Sequence, residues 1–294
     1  MRLFVNGHPQ VVVVDDFIPI WKESNLPCYA GKKTNNIWPM LLEKEWAKLN
    51  GSYEGIINGS VDEAMSLFLP FPNEIIKFCQ TESDLENIWR EISTGTQSNI
   101  DKKHIIGCSR SSEKDKDQNG KEVFNKIGLI SNHSYSVTGY YNFTVGSDSY
   151  YLLKLNNPWN KQTFTGAWSD SDVRWTDTIK KHVGFNDKAG GEFYININTF
   201  MTFFDSISVC KINTSLKEST IKMSHKKGEY CLAAVKVKSP NSKLILRVRQ
   251  QTSRFFPEST GYKAAFSRIL VGRKTGDSSR PIEYVINDFQ KITI

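Results

Sequence analysis

The sequence predicts an α+β fold in which helices come first, an antiparallel sheet follows, and a partial all-β sandwich closes the chain. Three observations carry this. Apolar residues recur at helical spacing in 38–53 and 84–93, the pattern becomes strand, turn, strand from His104 onward, and no helical period remains after Lys217. The 294 residues, 39% hydrophobic and 12% aromatic, suffice for a well-buried core and for two domains, placed at 1–215 and 216–294.

Composition excludes several classes of function. The longest apolar runs, "VVVV" at 11–14 and "LIL" at 244–246, fall far short of the roughly 20 residues needed to span a bilayer. The start, "MRLFVNGHPQ", lacks the apolar region of a signal peptide. Five cysteines (Cys28, Cys79, Cys108, Cys210 and Cys231) are widely spaced without a C-x-x-C pattern, which argues against a disulfide framework or a zinc site. A reducing, cytoplasmic compartment is therefore expected. The net charge of +7 is interleaved with acidic residues, as in "SSEKDKDQNGKE", so no nucleic-acid partner is expected.

The elements follow in order. "VVVVDDFIPI" reads as a buried strand ended by its Asp pair and Pro19. "WPMLLEKEWAKLNGSY" reads as a helix, with Pro39 in its first turn, Leu42, Trp46, Leu49 and Tyr53 on one face, and Gly51 at its end. Shorter helices are predicted at 73–80 and at 84–93, where Leu85, Ile88, Trp89 and Ile92 form a face. Strands are predicted at "HIIGCSR", at 134–143 and 150–156, and at "EFYININ". A helix from Thr199 sets Phe200, Phe203, Phe204 and Ile207 on one side. Four strands are predicted beyond it, at 229–238, 243–251, 262–273 and 282–293.

The chemistry concentrates in "NHSYSVTGYYNFTVGSDSYYLLKLNNPWN", residues 132–160. A hairpin centred on Val145 sets His133 directly opposite Asn157, on one face with Tyr135, Val137, Tyr141, Tyr151, Leu153 and Leu155. A His oriented by an Asn amide is one form of the convergent triad in which Cys is the nucleophile. The Asn carbonyl fixes the ring tautomer, the free ring nitrogen takes a thiol proton, and Trp159 shields the hydrogen bond from water. The plainer alternative is a strand-end His and a turn Asn before Pro158.

"NHSYSVTG", "LNNPWN", "TGAWSD" and "GGEFYININTFMTFF" together resemble the calpain family of papain-like cysteine peptidases. "VVVVDDFIP", "WPMLLEKEWAKLNGSYEG" and "IIGCSR" extend the resemblance, in order, over nearly all of residues 5–212, and residues 217–294 look like the start of that family's β-sandwich. The resemblance implies catalytic roles for His133 and Asn157 and a shielding role for Trp159. It supplies no nucleophile, because the family's Gly-Asp-Cys-Trp type motif precedes the segment matching "VVVVDDFIP", and only ten cysteine-free residues precede that segment here. Loss of the nucleophile of a comparable triad costs about 10⁶ in turnover, so the chain alone is expected to be inactive.

The resemblance also implies a calcium site. Asp170 and Glu192 match two of its acidic ligands, whereas Thr163 and Gly190 replace two others, so a weak site is expected. The family's glycines flanking the catalytic pair are Asn132 and Asn160 here, which bears on loop shape. In the last segment Lys236, Lys238, Arg247 and Arg249 alternate with apolar residues, a pattern suited to acidic phospholipid. The function expected is calpain-like endopeptidase cleavage of protein substrates, represented by the His/Asn half with the Cys half lost or supplied separately. The alternative is a non-catalytic calpain-like binding protein.

Overall fold

A computed structural model describes residues 1–31, 36–78, 81–95, 104–111, 127–161, 164–186, 190–215, 217–224, 233, 245–256, 258–263, 272–274 and 282–284. The chain divides into two compact units: Met1–Gly59, Leu67–Pro70 and Lys217–Ile294 form one, and Ser60–Ser66 with Phe71–Leu216 the other.

In the first unit, strands β1 (Arg2–Val5) and β2 (His8–Val11) form an antiparallel hairpin. Its turn residues Asn6 and Gly7 both have positive φ, 52° and 81°, as a two-residue type I′ turn requires. The buried strand expected over "VVVV" is corrected: β2 ends at Val11, and Val12 and the half-buried Val14 turn to the core, with Val11 and Val13 74% and 70% exposed. Extended backbone turns alternate side chains to opposite sides, so a run of four valines on one small core buries only part of itself. Val12 joins Leu3 and Leu67 there, and Leu42, Trp46 and Leu49 of helix α1 (Trp38–Leu49) pack against them. Pro39 sits in the first turn of α1 as predicted, while Tyr53 lies past the helix end and stacks on Tyr29 with ring centroids 4.2 Å apart.

The four strands expected beyond residue 217 are met in the described residues by a single antiparallel pair, β9 (Gly272–Lys274) with β10 (Ile282–Tyr284). Residues 245–251 lie outside any strand, and most of 229–238 falls outside the described residues. Lys236 and Lys238 are among those not described.

Helix α2 (Val61–Phe68) was not anticipated, and the helix expected at 73–80 is instead strand β3 (Asn73–Lys77). A short apolar run has no period long enough to separate helix from strand, so pairing partners decide; β3 hydrogen-bonds along β8 (Ser206–Lys211). Helix α3 (Glu82–Gly95) covers the predicted 84–93. Strands β4 (His104–Arg110), β5 (His133–Val145), β6 (Asp148–Asn156) and β7 (Glu192–Asn196) complete a six-stranded antiparallel sheet in the order β3-β8-β4-β5-β6-β7.

Each face of this sheet carries a core. On one, Ile88 and Ile92 of α3 and Phe200 of α5 (Ile197–Phe203) bury against Val137, Leu155 and Ile207. Ile207 belongs to β8 rather than to the helix predicted from Thr199. On the other face, Ile179 and Val183 of α4 (Asp177–Val183) pack with Leu152, Trp168, Trp175 and Tyr194. Thr176 caps α4 by accepting from the Ile179 amide.

The β5–β6 hairpin departs from its predicted register. Val145 pairs with Asp148, so the loop is Gly146–Ser147, with φ of 63° at Gly146 as a type II′ turn requires. A bulge between Val137 and Gly139 then shifts the pairing by one residue. One extra residue moves every later side chain to the other face. Tyr135, Val137, Leu153 and Leu155 share the first core as expected, but Tyr141 packs in the second core with Leu152 and Tyr194, and Tyr151 is 40% exposed against Trp89.

Candidate active site

The site lies at one end of the sheet, where β5 begins at His133, β6 runs out into Asn157, and β7 begins at Glu192 opposite Asn156. Direct opposition of His133 and Asn157 is corrected by the register. Asn156 pairs with Ser136, so the ladder extended by one residue sets Asn157 beside Tyr135, and His133 is a diagonal neighbour. Diagonal neighbours on one face remain within reach of long side chains. His133 Nε2 and Asn157 Oδ1 are 2.9 Å apart.

Asn157 is 1% exposed, and its hydrogen-bonding groups are engaged from all sides. Its Oδ1 accepts from the Trp159 amide at 3.1 Å, and its Nδ2 donates to the Lys161 carbonyl at 2.9 Å. These two contacts fix the orientation of the side-chain amide independently of the histidine. With Oδ1 facing it, Nε2 must be the donor, so the neutral imidazole carries its proton on Nε2 and leaves Nδ1 as the basic nitrogen. Nδ1 has no hydrogen-bond partner among the described residues. The Trp159 ring lies 4.3 Å from the His133 ring, tilted by 52°, and is itself 64% exposed. It thus covers one side of the imidazole with an apolar surface, while Tyr135 meets the ring edge-on at 4.9 Å.

The loops on either side hold this arrangement through unusual backbone. Asn132 and Asn160 have φ of 50° and 56°. Asn is the non-glycine residue that adopts this left-handed conformation most readily. Asparagine at 132 and 160 is therefore compatible with the left-handed backbone that these loops adopt. Asn160 closes the turn by donating its amide to the Asn157 carbonyl at 3.0 Å.

Neither of the cysteines described in this unit, Cys108 and Cys210, supplies a thiolate to Nδ1. Cys108 pairs with Tyr135 across β4 and β5, is 0% exposed, and donates to the Tyr135 carbonyl at 3.6 Å. Burial pushes its thiol far above the ordinary range. Cys210 is equally buried on β8, and Cys28 belongs to the first unit. Cys79 and Cys231 fall outside the described residues.

A family profile described as calpain family cysteine protease matches residues 1–211. The chain belongs to the calpain family. Human (Homo sapiens) Calpain-12 is 32% identical over 215 residues, which is 72% of this chain and 28% of that protein. The Homo sapiens Calpain-1 catalytic subunit is 32% identical over 214 residues, again 72% of this chain and 28% of the relative. Calpain-14 of Homo sapiens is 31% identical over 207 residues, 70% and 28% of the two chains. The chain thus spans less than a third of the length of these calpains.

The residues expected to hold calcium do not fit a cage for it. Glu192 is ion-paired with Lys154, 2.9 Å from its Nζ, and Asp170 is exposed. Gly190 offers no side chain, and Thr163 lies outside the described residues. Among the described residues no three His, Cys, Asp or Glu side chains gather as metal ligands. The negative charges of Glu192 and Asp170 fall instead on Tyr194, whose phenol is pushed upward, chiefly by burial and further by Tyr141 and these two carboxylates. Among the described residues no helix is long and apolar enough to cross a membrane.

Three supporting groups were not singled out from sequence: the Lys161 carbonyl, Lys154 and Gly191. Only the last had a signal, the Gly190–Gly191 pair just before a strand.

Proposed function

We propose that this calpain-family chain carries the histidine-and-asparagine half of a cysteine endopeptidase core, with residues 216–294 beginning the β-sandwich that follows it. The observation that carries the reading is the 2.9 Å contact of His133 Nε2 with an Asn157 amide whose orientation Lys161 and Trp159 hold. With Nε2–H engaged, Nδ1 is the base. A thiol brought to it by polypeptide outside these 294 residues loses its proton to Nδ1, giving a thiolate and an imidazolium. The thiolate attacks the peptide carbonyl carbon. His133 then returns the proton to the leaving amine as the C–N bond breaks, and a water molecule repeats the sequence to release the acid and restore the thiol.

Protein substrates are the partners this reading supplies. Attraction to acidic phospholipid rests on the basic alternation in the sequence alone, and a weak calcium site on two carboxylates, one of them paired with Lys154. A reducing, cytoplasmic setting is consistent with the three free cysteines described.

The test is hydrolysis of unfolded casein by the natural product that contains this chain, with and without calcium. Cleavage blocked by thiol reagents and abolished by His133→Ala is the expected result, and the 294-residue chain by itself is expected to cleave nothing. Cleavage that survives His133→Ala would sink the reading. No cleavage at all would favour the second one, a non-catalytic binding protein, which the complete burial of Cys108 and Cys210 supports.

A further inference from the structure

We propose that Gly191 is a positioning residue for the His133–Asn157 pair, holding Asn157 through an interlocked pair of loops. This rests on the reading of those two residues given above. The Gly191 carbonyl accepts the Asn157 amide at 2.8 Å, so the backbone of Asn157 is tied to the residue just before β7. Gly191 has φ of 87°, a conformation that side chains rarely adopt. A Cβ on it would lie 2.7 Å from the Asn157 carbonyl oxygen and 3.0 Å from the Asn160 Cα, both backbone atoms. Neither can swing aside as a flexible side chain would.

The displacement has a direction. The Asn157 carbonyl accepts from Asn160, and the side chain of Asn157 reaches Trp159 and Lys161 within the same turn. Pushing on that carbonyl moves the whole 157–161 turn relative to β5, where His133 is anchored by its pairing with Arg110. Gly190 adds a second tight contact, since a Cβ there would lie 3.2 Å from the Asn160 carbonyl oxygen. The Nε2 to Oδ1 distance is therefore set from the β7 side, through the backbone of Asn157 and Asn160.

The experiment reads the imidazole itself. In the ¹⁵N-labelled 294-residue chain, His133 is expected to show the Nε2–H tautomer, with slow exchange of that proton, and Asn157→Ala to abolish both. Gly191→Ala is expected to mimic Asn157→Ala, speeding Nε2–H exchange about tenfold or more. Gly184→Ala is the control: Gly184 also has positive φ, 62°, but a Cβ there meets nothing within 4 Å, so it strains the backbone without touching the site. It is expected to leave His133 as in the wild type. Gly191→Asn tolerates the left-handed backbone while still carrying a Cβ, and covers the case in which the alanine variant does not fold. A wild-type His133 signature in Gly191→Ala or Gly191→Asn overturns the inference alone. An unchanged signature in Asn157→Ala overturns the His–Asn reading beneath it.

Discussion

His133 and Asn157 meet at 2.9 Å, with the amide of Asn157 held by Trp159 and Lys161, whereas among the described residues Asp170 and Glu192 join no cluster of three potential metal ligands. Both pairs are expected to be functional from the resemblance alone, and both lie on the same unit. The difference is in the support. Asn157 is buried, and each of its polar groups is engaged by backbone or by the imidazole, so its orientation is settled before any substrate arrives. Glu192 is half-buried but answered by Lys154, and Asp170 faces solvent. The surroundings thus fix the orientation of one pair and leave the other to solvent and a single ion pair.

The most damaging way to probe this contrast is Asn157→Ala. It strands the Lys161 carbonyl and the Trp159 amide, and should cost about 1–3 kcal/mol in urea denaturation. A loss well below that would mean the buried amide is no better supported than the two carboxylates. Trp159→Ala should cost less, about 1 kcal/mol, because the indole is 64% exposed. It should also speed exchange of the His133 Nε2 proton, which is the sharper readout.

Glu192→Gln removes the ion pair with Lys154 and should cost under about 1 kcal/mol, a difference that shrinks as salt is added. Adding calcium, or removing it with a chelator, should leave the melting midpoint of the chain unchanged, since a ligand shifts it only by binding the folded and unfolded chains unequally. A rise with millimolar calcium would erase the contrast.

A third polar group extends the comparison to another strand of the sheet. His104 on β4 is held below its ordinary value near 6.5, first by burial and then by Lys211, against the opposing pull of Glu91 and Glu74. The folded chain thus binds its proton less readily than the unfolded chain. The His104 contribution to stability is full above the ordinary value and is lost as pH falls below it toward the depressed folded value. His104→Gln should flatten stability in that window, measured by urea midpoints at a series of pH values.

Much of the sheet unit was legible from local pattern. The face formed by Leu85, Ile88, Trp89 and Ile92, the strand "HIIGCSR" and the two arms of the β5–β6 hairpin all appear near their predicted places. What was not legible depends on partners distant in sequence. Residues 73–77 are a strand because β8 offers them an edge, and that edge is more than a hundred residues away. The first hairpin differs, since Asn6–Gly7 is a local turn signal, but the strongest β-branched run, the four valines, lies mostly beyond the end of the second strand instead of within it. At the site, the identities of His133, Asn157 and Trp159 were readable, but their geometry was not. The turn at Gly146–Ser147 and the bulge after Val137 are each one-residue decisions, and one residue changes the face.

That bulge gives the hairpin a seam. Before it the odd-numbered Tyr135 and Val137 face the first core; beyond it the even-numbered Tyr140 faces that core, and the odd-numbered Tyr141 and Phe143 face the aromatic cluster around Trp168 and Tyr194. Deleting Thr138 would leave the composition of both halves intact and rotate one against the other, so that Tyr141 and Phe143 would lose their places beside Trp168 and Tyr194. Both halves of β5 serve the first core, so what the bulge protects is the phase between them, and a graft of the His133 end onto another hairpin has to carry Thr138 with it.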